Sequence, residues 1–254
     1  MTMVSKIKTI LVSQPKPSSD KSPYFDLAES QSLKIDFRPF IEVVGVPSKE
    51  FRKQRVDIMA HTAVIFTSRT AIDHFFRVAE ELKCCIQENW KYFCMSESTA
   101  LYLQKYIVYR KRKIFFGTGT FETLLEIIKK HKEDKFLLPL SNIHKQNIPE
   151  ALDKIHVDFS KAVLYQTVSA DLSDLKDVNY DMLVFYSPSG VASLMQNFPE
   201  FKQNCTCIAA FGPSTSEAVA DYGLRLDIEA PSVTAPSMTM AIEEFVKKVN
   251  KRKR

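Results

Sequence analysis

The sequence predicts an α/β protein of two similar lobes, each a parallel sheet covered by helices. Three observations carry that expectation. Short apolar runs such as AVIF at 63–66 and MLVF at 182–185 have the composition of strands buried on both faces. Each is followed by a Ser/Thr turn and then by apolar residues at helical spacing, as at Ile72, Phe75, Phe76 and Ala79. The whole series of such units also occurs twice, and strands alternating with helices imply parallel strands joined by crossovers.

Along the chain, the first unit is KTILVSQP…SPYFDLAESQSLKIDF: strand, polar loop, proline near a helix start, helix, strand. The second is AVIFTSRTAIDHFF, with Thr67, Ser68 and Arg69 at the junction of strand and helix. The third, YFCMSESTALYL, places Ser98 and Thr99 at the same junction, and the fourth runs from Gly117-Thr118-Gly119 into FETLLEIIKKH. Then the series restarts. DKFLLPLSNIHKQNIPEALDKIHVDFSKAVLYQTV repeats the first unit, and DMLVFYSPSGVASLM repeats the second with Ser187, Ser189 and Gly190. IAAFGPSTSEAVADYG repeats the third with Gly212, Ser214 and Thr215, and SMTMAIEEFVKK repeats the fourth. The last two pairs keep a constant offset of 116 residues, Ser98 onto Ser214 and Thr123 onto Thr239. The pattern alone leaves open which copy of the first unit joins which set of three. The extended runs 37–46 and 162–170 are the stretches able to connect the lobes.

Composition sets the outer limits. With 254 residues, 45% apolar and 26% charged, the chain has material for one large domain or two small ones. The apolar run near the amino terminus ends at Gln14-Pro15, too short for a signal peptide or a spanning helix. Five cysteines without a C-x-x-C pair suggest neither a disulfide framework nor a zinc site, so a reducing cytoplasm is expected. The net charge of +5 comes largely from the basic cluster at 110–113 and the tail at 251–254, which read as a solvated turn and a frayed terminus. No nucleic-acid reading module accompanies them, and neither nucleic acid nor a membrane is expected as a partner. There is no GxGxxG fingerprint, no phosphate-loop lysine after Gly119 and no HExxH or Cys/His cluster, so neither cofactor nor metal is expected. The five histidines read as solvated or capping, and Trp90 as packing.

Five stretches in order, VIFTSRTAI, FCMSESTALYL, AVLYQTV, DMLVFYSPSGVASL and AAFGPSTSEAVADYGLRLDIEAPSVTAPSM, resemble the uroporphyrinogen-III synthase family over nearly the whole chain. The resemblance implies two flavodoxin-like lobes joined by a two-stranded β hinge near 37–46 and 162–170. Lobe 1 would be discontinuous, 1–40 plus 170–254, and lobe 2 would span 44–166. It implies a lyase that cyclises the linear hydroxymethylbilane to uroporphyrinogen III with inversion of ring D and loss of water, in tetrapyrrole biosynthesis. No long amphipathic helix is left unassigned, so a monomer is expected, and the preceding pathway enzyme is a candidate partner. Two departures from the family's pattern stand out: Gln14 where Arg is common, and Ser96 where glycine is usual.

The implied substrate is rich in carboxylates, which gives the Ser/Thr turns a purpose. Backbone N–H groups at a helix start bind anions, and small side chains let the ligand approach them. The expected substrate-binding set is Thr67, Ser68, Arg69, Ser98, Thr99, Ser187, Ser189, Gly190, Gly212, Ser214 and Thr215. The plainer reading of the hydroxyls is helix capping. Tyr165 in VLYQTV matches the family's acid candidate and is expected to hydrogen-bond the departing hydroxyl; the plainer reading is an aromatic packed on the hinge. A non-catalytic two-lobed binding module for an anionic small molecule explains the duplication equally well, but not the order of the five motifs.

Overall fold

The computed structural model describes residues 6–144, 146–176 and 178–251. The last three residues of the basic tail, Arg252, Lys253 and Arg254, lie outside them. The chain divides into two compact units, Met1–Glu42 with Val168–Arg254, and Val43–Thr167.

Unit 1 holds strands β1 (Thr9–Val12), β2 (Lys34–Phe37), β9 (Met182–Phe185), β10 (Cys207–Phe211) and β11 (Ile228–Ala230). They form one parallel sheet in the order β2-β1-β9-β10-β11. Taken in chain order this is the 2-1-3-4-5 arrangement of flavodoxin-like sheets. Strand side chains alternate between two cores. Ile10, Val12 and Val184 meet helices α1 (Pro23–Gln31) and α9 (Met238–Lys251) on one face. Leu11, Leu183 and Phe185 meet α7 (Pro188–Asn197) and α8 (Pro213–Asp221) on the other.

Unit 2 holds β3 (Ile41–Gly45), β4 (Ala63–Phe66), β5 (Lys91–Cys94), β6 (Ile114–Phe116), β7 (Phe136–Ser141) and β8 (Phe159–Ser169). The order is β3-β8-β7-β4-β5-β6, with β8 to β6 mutually parallel. Setting β3 aside and counting from β7, this is the 2-1-3-4-5 order again, with its first two strands now last in the chain. Val64, Phe66 and Tyr92 pack against α3 (Arg69–Glu81) and α4 (Glu97–Tyr102), in a cluster that also holds Trp90. Ala63, Ile65 and Phe93 pack against α5 (Phe121–Ile128) and α6 (Asn147–Lys154). The small helix α2 (Ser48–Lys53) follows β3.

One detail differs from the repeat pattern. The extended run at 37–46 is broken: Phe37 ends β2, and β3 begins only at Ile41. Pro39 lies in the gap, and proline has no N–H to give to a ladder. The matching run in the second copy has no proline and continues as the eleven-residue β8. The chain passes between the units at 42–43 and 167–168, inside β3 and β8.

Candidate functional site

In an open parallel sheet, ligands bind beyond the carboxyl ends of the strands at the point where strand order reverses. In unit 2 that point lies between β7 and β4. β4 ends at Phe66, and Thr67 follows, half-buried. Ser68 is extended (φ −156°, ψ 164°), and its Oγ accepts from Ala71 N at 3.1 Å, which starts α3. A cleft of about 370 Å³ opens at this edge, lined among others by Thr67, Thr120, Ser141, His144 and Tyr165. Tyr165 reaches it from β8, where it is paired with Ser141 of β7. Its ring stacks on His74 of α3, centroids 5.2 Å apart and planes 17° from parallel.

The electrostatics keep both rings neutral. Burial pushes the Tyr165 phenol above its usual value, with the Ser68 hydroxyl acting the other way. Burial and then the Arg77 cation hold His74 below the usual histidine value, and Arg77 Nε donates to His74 Nδ1 at 3.3 Å. His144 lies across the cleft, its Nδ1 2.8 Å from the Ser141 carbonyl. An N–H at Nδ1 satisfies that carbonyl and leaves Nε2 as the accepting nitrogen.

Arg69, the first residue of α3, is exposed and has no carboxylate partner among the described residues. Its guanidinium sits over the Tyr102 ring, 5.4 Å from the centroid. The Tyr102 hydroxyl is held at 3.0 Å by both oxygens of Asp73, which also accepts from Tyr106 and Lys105. Burial alone would raise the Asp73 carboxyl; the bonds from Tyr106, Lys105 and Tyr102 outweigh it and leave the group below its usual value. Lys105 neutralises Asp73, so Arg69 remains as uncompensated positive charge at the sheet's carboxyl edge.

In unit 1 the order reverses between β1 and β9. Ser187 is extended and caps α7 through Gly190 N at 3.2 Å, with Ser189 half-buried and Gly190 buried. Ser13, 8% exposed, follows β1 beside them; a Cβ on Gly190 would lie 3.6 Å from its Oγ. After β10, Gly212 takes φ 87° and ψ 150°, a conformation essentially reserved for glycine, and starts α8 without a side-chain cap. Ser214 is exposed, whereas Thr215 is 1% exposed and turned into the fold. At the equivalent turn of unit 2, Ser96 is extended (φ −146°) and its Oγ caps α4 at Thr99 N, 3.4 Å. Serine thus replaces the positive-φ glycine with an ordinary cap. Thr99 is buried against Ser96, and Ser98 is exposed.

The first turns separate these helices. α3, α7 and α8 have no acidic residue there, while α4 carries Glu97 and α5 carries Glu122. A carboxylate in the first turn already satisfies the helix dipole and repels a second anion. The anion-ready starts are therefore those at Ser68, Ser187 and Gly212; the one beside Ser98 and Thr99 is not. The His131, Glu133 and Asp134 cluster has ligand atoms close enough to hold a metal, but the Lys91 ammonium already sits 2.6 Å from Asp134 and 3.6 Å from Glu133.

A family model described as uroporphyrinogen-III synthase HemD matches residues 23–240. The chain belongs to the uroporphyrinogen-III synthase family. A uroporphyrinogen-III synthase of Chlorobaculum parvum is 24% identical over 258 residues, covering 95% of this chain and 100% of the relative. The fold is that of a Helicobacter pylori uroporphyrinogen-III synthetase (TM-score 0.60, 18% identity, 95% of this chain and 100% of the other). It is also that of a mutant uroporphyrinogen III synthase from Thermus thermophilus (TM-score 0.50, 14% identity, 96% and 99%).

Sequence reasoning missed the members of the unit 2 cleft that come from elsewhere in the chain. His74 and His144, read as solvated or capping, flank or line the cleft beside Tyr165. For Ser141 and its neighbour Asn142 a signal existed: the repeat of the first unit sets LVSQ over PLSN, so Ser141 falls on Ser13. Among the described residues no helix is long and apolar enough to cross a membrane.

Proposed function

We propose that the chain is a cyclising lyase that converts hydroxymethylbilane to uroporphyrinogen III. The carrying observation is the family match over 23–240, whose span takes in the switch point of unit 2, the β9 side of that of unit 1, and Tyr165. The reaction removes the bilane's terminal hydroxyl as water, closes through a spiro intermediate and inverts ring D. The pyrrole nitrogens supply the electron push, so the protein's task is to fold the chain and assist the leaving group.

In this reading the starts of α3, α7 and α8 bind substrate carboxylates through their free first-turn N–H groups, and Arg69 adds a charge-assisted bond. Tyr165, kept protonated by burial, donates to the departing hydroxyl. Ser68 and Ser187 hold the turns by capping, so their hydroxyls act on substrate through backbone placement.

The test is a coupled assay in which the preceding pathway enzyme supplies the unstable bilane. Formation of the III isomer is expected, and it is expected to persist in a metal chelator. Only the spontaneous I isomer would refute the proposal.

A second experiment examines how Arg69 is held. Arg69→Ala is expected to raise KM roughly tenfold with little change in kcat, the worth of one hydrogen bond to a charged group. Tyr102→Leu should raise KM less, and the double variant should be no worse than Arg69→Ala alone. Additive effects would show that Tyr102 does not act through Arg69.

A further inference from the structure

A cleft of about 450 Å³ opens on unit 2 away from the carboxyl edge, within the size range of small-molecule sites. Tyr92 and Ile114 enter it at the amino-terminal ends of β5 and β6, Phe76 and Ala79 come from α3, and Ile86 and Tyr106 complete the apolar walls. The Phe76 and Tyr106 rings are stacked at 4.4 Å, giving one flat wall.

Tyr92 is only 5% exposed, yet its hydroxyl has no hydrogen-bond partner among the described residues. No unpaired polar side-chain atom is sealed from solvent among them, so what remains open on Tyr92 faces this cleft. Burial alone pushes the phenol up to about 12, consistent with a group that nothing in the protein relieves. The hydroxyl is thus left to water inside the cleft, and a ligand acceptor would take that water's place.

Charge at the rim selects the acceptor. Arg110 is bound to Glu88 at 2.9 Å and Lys113 donates to the Glu88 carbonyl, so the two cations of the lining stand against two carboxylates, Glu80 and Glu88. A carboxylate placed against Tyr92 would keep one oxygen unpaired among apolar walls. We infer that this cleft is a binding site for a small, neutral, apolar molecule bearing one carbonyl-type acceptor, which Tyr92 donates to.

The test uses 2-acetylnaphthalene as the probe, with 2-ethylnaphthalene as a same-shape molecule lacking the acceptor and 2-naphthoate as the charged analogue. Binding to the full chain is followed by amide chemical shifts. The acetyl compound is expected to bind most tightly and to shift residues of the cleft. Tyr92→Phe should weaken it about fivefold, the worth of one neutral hydrogen bond, and leave the ethyl compound unchanged. Ile86→Trp, which fills the cleft, should abolish binding of both while III-isomer formation continues. Equal affinity of Tyr92→Phe for the acetyl compound, tighter binding of naphthoate, or shifts confined to residues outside the cleft would overturn the assignment.

Discussion

Gly212→Val is expected to lower III-isomer formation by roughly two powers of ten, the scale on which about 1 Å of misplacement costs an enzyme. At φ 87° and ψ 150° a β-branched residue is strained by about 1–3 kcal/mol, so the turn would move. An added Cβ meets no protein atom within 4 Å, so the side chain would stand in open space at the start of α8, the end proposed to hold a substrate carboxylate. Circular dichroism separates this local effect from unfolding. A folded Gly212→Val protein with wild-type turnover would remove the backbone of this turn from the mechanism.

Tyr165→Phe is expected to lower kcat by roughly one to two powers of ten, at or below the usual range for an acid group. The substitution keeps the stack on His74 and deletes only the hydroxyl. The pH dependence has a definite sign. The protonated phenol is the donor and burial raises its pKa, so its contribution is constant through neutral pH. It fades only as pH climbs past the ordinary tyrosine value of about 10. Unchanged turnover in Tyr165→Phe would reduce the residue to packing. If Tyr165→Phe abolishes turnover while Gly212→Val is near wild type, the backbone does not carry most of the work.

The strand, turn and helix units were readable because each is local: a buried strand is apolar in four or five consecutive residues, and a cap lies within three residues of the N–H that donates to it. Ser68 and Ser187 show this, since their neighbours alone define them as helix starts. The fate of Thr99 and Thr215 was not readable, because the third position of a helix can face the sheet or the solvent, and only packing decides. The company of Tyr165 was not readable either. His74 belongs to another unit of the repeat and His144 to the far end of Tyr165's own unit, and a strand order that places β8 beside β7 and β7 beside β4 brings them together. Pro39 was visible, but its effect needed the sheet: the run at 37–46 breaks there, leaving β2 and β3 in different sheets.

The permuted strand order also governs the order of events on the ribosome. Unit 2 is one continuous segment, Val43–Thr167, and has all its strands once that segment has emerged. Unit 1 does not. Its strand β1 lies inside the sheet between β2 and β9, and β9 is made only when synthesis reaches residues 182–185. Throughout the synthesis of unit 2, the β1–β2 pair carries an unpaired apolar edge, the kind of edge that invites pairing with another chain. Slow translation after residue 167 is therefore expected to raise aggregation more than slow translation before residue 43.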